Sequence, residues 1–156
     1  MNGGIATFLI VLLACGLVAA AAFDWRSRTI PNWLNAAFAL GAIPFWWASG
    51  LHLWPGVALH VGIALIIFAI FALAFQLGMM GGGDVKMLAA LALWLPAGAV
   101  LELLVIMSVA GGLLTIAMLI PHKIRKIAGQ PEIPYGIAIA FAGMWLISER
   151  FLNQFG

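Results

Sequence analysis

Charge is what this sequence has least of. Its 156 residues include only seven Lys and Arg and five Asp and Glu, 8% in all, against 65% hydrophobic residues and a mean hydropathy of +1.16. Soluble domains carry roughly 45–50% apolar and about 25% charged residues. A water-soluble globule is therefore excluded, and long apolar runs with few interruptions predict an all-α integral membrane protein. Cys15 is the only cysteine, which rules out an intrachain disulfide and any multi-cysteine zinc site. The net charge is just +2, and the bases lie in clusters, a pattern that speaks of membrane topology and not of nucleic acid. No nucleic-acid partner is expected. No Ser-rich, Pro-rich or charged linker divides the chain, so residues 1–156 read as one domain. Aspartate is scarcer still. Asp24 and Asp84 are the only two, so chemistry that needs a pair of aspartates has one possible pair.

Apolar runs place about six spans. The first covers residues 4–23, too long for the roughly 7–15 apolar residues of a signal-peptide core and without the basic residues that precede one. Leu12, Leu13, Ala14 and Cys15 loosely resemble a lipoprotein cleavage box, but they lack basic flanks too, and Cys15 is expected to be a small buried apolar residue. A polar connection with Asp24, Arg26, Arg28, Pro31 and Asn32 follows. The second span runs from about Trp33 to Trp46 and Trp47, a turn is expected at 52–55, and the third span covers 56–79. Residues 85–120 are apolar apart from Glu102, with a natural break at 96–98, which makes two spans. The stretch 85–96 is too short to cross the hydrocarbon, at roughly 18 Å of helix. Either the helix runs on past Pro96 or its embedded portion begins earlier. A basic connection at 121–134 with Lys123, Arg125 and Lys126 precedes the last span, 135–148.

Bases collect on the cytoplasmic side of membrane proteins. With the N-terminus outside, Arg26, Arg28, Lys86, Lys123, Arg125 and Lys126 all fall inside, and only Arg150 falls outside. Trp25 and Trp33 then flank the inner surface, while Trp46, Trp47, Trp54, Trp94 and Trp145 lie near outer ends, as an interfacial belt would. Asp24 and Asp84 share the cytoplasmic face.

The most unusual stretch is MGGGDVK at residues 80–86. An ionisable group set in membrane-length apolar sequence is costly and marks a functional site by default. Two carboxylates brought together in a partly dehydrated site tend to share one proton. The ionised one then takes a proton from water, and the protonated one donates to the carbonyl under attack. Gly81, Gly82 and Gly83 would let the backbone adopt conformations closed to other residues and approach a ligand, to which an extended segment could pair in strand-addition fashion. The plain alternatives are an N-cap role for Asp84 with Val85 opening the helix, and a solvated loop acid for Asp24 beside Arg26 and Arg28.

The motifs, in order, are Asp24 with Arg28 and Ile30-Pro31-Asn32 after the first helix, Gly81-Gly82-Gly83-Asp84-Val85-Lys86 after the third, and Pro134-Tyr135-Gly136-Ile137-Ala138-Ile139-Ala140 opening the last. Together they resemble the type IV prepilin peptidase family, and more narrowly its short members associated with tight-adherence and Flp-type pili. The resemblance covers nearly the whole chain. It implies a membrane aspartic endopeptidase of the Gly-x-Gly-Asp class in the bacterial inner membrane, which removes the basic leader from prepilins or pseudopilins at the cytoplasmic face and works beside pilus assembly machinery. Asp24 and Asp84 match the two catalytic positions. Longer members carry a cysteine-rich cytoplasmic segment and methylate the new N-terminus with S-adenosylmethionine. This chain has no such segment, so neither methylation nor a cofactor is expected.

Lys86 and Arg28 are candidates for tuning the aspartates, or anchors of helix ends in the headgroup layer. Pro31, Asn32, Pro134, Tyr135 and Gly136 are candidate substrate contacts or helix-start residues. His60 and Glu102 fall near outer ends and are expected to be hydrogen-bonded bundle or interface residues. Gly111 and Gly112 fit close helix packing. Three other functions use the same features. A transporter or proton channel needs polar residues at the midplane, where little beyond Gln76 is available. A non-enzymatic component of a pilus or secretion assembly would survive loss of either aspartate. A divalent cation held by the two acids and glycine carbonyls would be removed by a chelator, though no metal is expected.

Overall fold

The computed structural model describes residues 3–124 and 133–153. Six α-helices run through them: α1 Gly3–Ser27, α2 Asn32–Ala48, α3 Ala58–Gln76, α4 Gly82–Ala92, α5 Ala97–Ile124 and α6 Tyr135–Asn153. A turn at Leu53–Val57, with extended backbone at Trp54 (φ −124°, ψ 131°) and the Val57 N–H donating to the His52 carbonyl, takes the place of the expected 52–55 turn and leads directly into α3. Three helical stretches are long and apolar enough to cross a membrane: Gly3–Ser27, Leu53–Gln76 and Ala97–Ile120, with mean hydropathies of 2.6, 2.7 and 2.6. Tyr135–Glu149 is a shorter apolar helix. The protein is a small polytopic helical membrane protein. Its outward surface agrees, since Phe8, Leu12, Leu65, Ile66, Leu73, Leu101 and Leu113 are all exposed. Helices apolar on every side suit lipid, where each backbone N–H and C=O must be satisfied within the segment.

The core forms where the helices meet. Leu17 of α1, Met87, Leu88 and Leu91 of α4, Leu103 of α5, and Ile139 and Leu146 of α6 are almost wholly buried. α1 packs between α2 and α6, α4 against α2, α3 and α6, and α5 against α6. Small residues set these approaches. A Cβ at Gly16 would collide with the Phe38 ring, and one at Gly143 would stand 3.0 Å from a Leu17 methyl.

α4 resolves the expectation about the short fourth span. It begins at Gly82, earlier than Val85, and stops at Ala92, short of Pro96. At about 16 Å it is too short to cross, yet most of its residues are buried. It is an interior helix braced by its neighbours. Four side-chain hydrogen bonds tie the segment 83–94 to α2: Lys86 Nζ donates to Asn32 Oδ1 (2.8 Å), Asn35 Nδ2 to the Gly83 carbonyl (3.1 Å), Trp94 Nε1 to the Phe38 carbonyl (2.8 Å), and Trp46 Nε1 to the Leu93 carbonyl (2.8 Å).

Several expectations need correction. Trp94 is buried and Trp46 turns inward to Leu93, so neither belongs to an interfacial belt, whereas Trp25, Trp33, Trp47, Trp54 and Trp145 are exposed. Cys15 is exposed, not buried. α5 continues through Pro121 to Ile124, and α6 extends past Ser148 to Asn153. His60 is hydrogen-bonded as expected, its Nδ1 2.9 Å from the Gly56 carbonyl oxygen, while Glu102 is exposed. A Cβ at Gly111 would stand 3.3 Å from the Tyr135 ring, but Gly112 faces open space. Arg125, Lys126 and most of their connection lie outside the described residues.

Candidate active site

Chain direction alternates from helix to helix, so the end of α1 and the starts of α2, α4 and α6 gather at one end of the bundle. Asp24 lies in the last turn of α1 and Asp84 in the first turn of α4. Both residues are buried, 3% and 7% exposed. They stand close enough for each to feel the other's charge.

The two acids are held by different devices. Asp24 is received by the start of α6: the Ile137 backbone N–H donates to Asp24 Oδ2 at 3.0 Å, and the Gly136 backbone is a second partner. The first N–H groups of a helix have no partner within it and favour negative charge nearby. A hydrogen bond to an ionised acceptor of this kind stabilises by about 1.5–3 kcal/mol. The fit leaves no room for a side chain, because a Cβ at Gly136 would lie 2.8 Å from Asp24 Oδ2 and 2.8 Å from Ile30 Cδ1. Asp84 occupies the third position of its own helix. It reaches back to the backbone of Gly81, the N-cap residue, as the acid of a capping box does. That corrects the expectation of an N-cap Asp84 with Val85 as the first helical residue.

Each glycine of the run meets a different neighbour. A Cβ would stand 3.0 Å from Asp84 Oδ2 at Gly81, 3.3 Å from the Phe75 ring at Gly82, and 3.3 Å from the Ile30 backbone at Gly83. Gly81 has φ −71°, and among the described glycines positive φ occurs only at Gly50 and Gly78. These three glycines therefore serve close approach and not unusual dihedrals. Ile30 is the wedge between α4 and α6, touching both Gly83 and Gly136.

Among the described residues Arg28 is the one non-glycine residue in the left-handed region, with φ 54°, a conformation costing roughly 1–2 kcal/mol for an L-residue. It ends α1 with its N–H on the Asp24 carbonyl (3.0 Å), its guanidinium attracts the Asp24 carboxylate, and its Cζ lies 5.9 Å from the Trp25 ring centre. Arg28 thus belongs to the Asp24 side of the site. Lys86 does not join the acids in this arrangement. Its ammonium is bonded to Asn32 on the α2 side, and both residues are exposed. The Pro31 carbonyl receives the N–H groups of Leu34 and Asn35, opening α2. Pro134 is buried at the start of α6, and Tyr135 packs sideways on Gly111.

Sequence reasoning missed Asn35, Ile30 as a spacer, and the Ile137 amide. Asn35 carried a usable signal, being a polar residue one helical turn after Asn32 in an otherwise apolar helix. Among the described residues no three His, Cys, Asp or Glu side chains come together as a metal site would require. What the arrangement offers is a pair of buried, mutually repelling carboxylates, each beside a helix N-terminus, suited to holding one proton between them.

A sequence profile of the type IV leader peptidase family matches residues 11–116, a stretch that includes both aspartates and all three glycines before Asp84. No curated protein and no solved structure matches the chain.

Proposed function

Because this chain belongs to the type IV leader peptidase family and is a peptidase of the membrane, we propose that Asp24 and Asp84 are its catalytic pair and that it removes the basic leader from pilin-type precursors, those of Flp-type pili in particular. The observation that carries this reading is the meeting of two buried acids from helices sixty residues apart, at one end of an apolar bundle. In the working state one carboxylate is ionised and the other protonated. The ionised acid takes a proton from water as the water oxygen bonds to the scissile carbonyl carbon, and the protonated acid gives its proton to the carbonyl oxygen. Collapse of the tetrahedral intermediate breaks the C–N bond, and the departing amine leaves with a proton returned by the dyad. No metal or cofactor takes part, and N-methylation lies outside the proposal.

The remaining candidates support this chemistry. Gly81 and Gly136 admit the carboxylates, Gly82 and Gly83 let α4 start against α3 and Ile30, Arg28 supports Asp24, and Pro134 and Tyr135 set the start of α6. Lys86, with Pro31 and Asn32, forms a polar edge toward the precursor. The clustering of bases supports an orientation with the N-terminus outside and the site at the cytoplasmic face of a bacterial inner membrane, where precursors arrive and pilus assembly begins. The whole chain acts as one domain.

Co-expression with small pilin precursors tests the proposal. Wild-type protein should convert the precursor to the mature form, with the new N-terminus read by mass spectrometry. Asp24→Asn and Asp84→Asn should each leave it uncleaved at unchanged membrane abundance, a loss of about 10²–10⁴-fold for a missing proton-exchanging group. Normal processing by either variant would remove the dyad.

A further inference from the structure

We propose that Asn35 is a substrate-binding residue whose side-chain carbonyl accepts a backbone N–H of the peptide being cleaved; this rests on the peptidase reading above. Asn35 is 5% exposed, and its Nδ2 donates to the carbonyl of Gly83, the residue before Asp84, at 3.1 Å. Its Oδ1 is buried and, among the described residues, has no partner. A buried acceptor without a donor is rare in folded proteins. If holding α2 to α4 were its whole role, the second half of the amide would be a burial cost without return, which an apolar residue would avoid. The unused acceptor marks a place where something else completes the network.

The surroundings say what that is. Asn35 lines a groove of about 460 Å³ between α2, α3 and α4, whose walls include the apolar Ala39, Leu65 and Phe68 and whose polar residues are Asn32, Asn35 and Lys86. Asn35 grips the carbonyl of Gly83 and so ties the polar end of the groove to the backbone that leads into Asp84. A peptide passing from the acids into the groove loses water from its amides, and each N–H left there needs an acceptor. Asn32 Oδ1 already receives the Lys86 ammonium, which leaves Asn35 Oδ1 to take it. The same side chain then fixes the start of α4 with its nitrogen and registers the peptide with its oxygen.

An ester scan tests this. Semisynthetic pilin precursors, with backbone amides near the cleaved bond replaced one at a time by esters, lose one N–H each and are assayed with purified wild-type protein and with Asn35→Leu and Asn35→Ala. At one position the ester should lower wild-type kcat/KM about tenfold, the effect of one lost buried hydrogen bond. With the Asn35 variants the same ester should cost less than about twofold, because the interaction is already gone. Equal losses in wild type and variants at every position, or no sensitive position in wild type, overturns the proposal while leaving the peptidase reading standing. Failure of both variants to accumulate in the membrane assigns Asn35 to folding and overturns it as well. Precursors left intact by the wild type overturn the peptidase reading and this inference with it.

Discussion

At the scale of the residue, the site depends as much on missing side chains as on the carboxylates. Gly136 gives way to Asp24, and a Cβ there would sit 2.9 Å from the Asp24 carboxyl carbon. Gly136→Ala must move Asp24, Ile30 or the start of α6, and misplacing a catalytic group by about 1 Å can cost about 10²-fold. We expect cleavage of a pilin precursor to fall about 100-fold with Gly136→Ala, while Gly98→Ala, which faces open space, stays at the wild-type rate in the same assay. The aspartates were legible because ionisable residues are so few in this apolar chain that two of them stand out. The reason for the glycines was only half legible. Close approach to a neighbour and freedom of dihedral angle ask for the same residue, and the sequence does not distinguish them. The left-handed turn falls on Arg28, where no glycine advertised it. Asn35 escaped notice because its partner lies 48 residues away, a pairing that exists only once α2 and α4 are packed.

At the scale of the element, the number and order of helices followed from apolar runs broken by Gly, Pro and charge, because the hydrocarbon demands satisfied backbone over long segments. Which face of each helix turns inward did not follow. A helix apolar on all sides has no stripe to point it, so the exposure of Cys15 and the burial of Trp94 came from packing alone. α4 shows the consequence. Too short to span, it is held by its neighbours, and the Trp94 indole bonded to the Phe38 carbonyl secures the end away from the acids. Trp94→Phe keeps an aromatic ring and removes the donor. It should cost about 1 kcal/mol, read as a lower thermal midpoint in detergent, with the cleavage rate of the folded protein within about twofold of wild type, since added disturbance at remote sites is small. A large fall in rate with an unchanged midpoint would place this bond in the chemistry.

At the scale of the whole molecule, the starts of α2, α4 and α6 and the end of α1 gather both acids at one end of the bundle, which the proposed function sets at the cytoplasmic face. In a Cys15→Ala background, a cysteine at Ser27 should resist a membrane-impermeant thiol reagent in intact cells and one at His52 should react. Labelling at Ser27 from outside would invert the orientation. The central claim is that two aspartates alone perform the hydrolysis. A shared proton is lost at high pH and joined by a second at low pH, so such a pair gives a bell-shaped rate profile. It also needs no ion, whereas a metal site loses function when its ion is withdrawn. The measurement that tests this most directly is the rate of precursor cleavage by purified protein in detergent with excess EDTA, for wild type, Asp24→Asn, Asp84→Asn and the double variant. The account predicts an undiminished wild-type rate and one common floor for all three variants, the non-additivity of groups that act as a unit. Inactivation by EDTA reversed by a divalent cation, or substantial cleavage by either single variant, would contradict it.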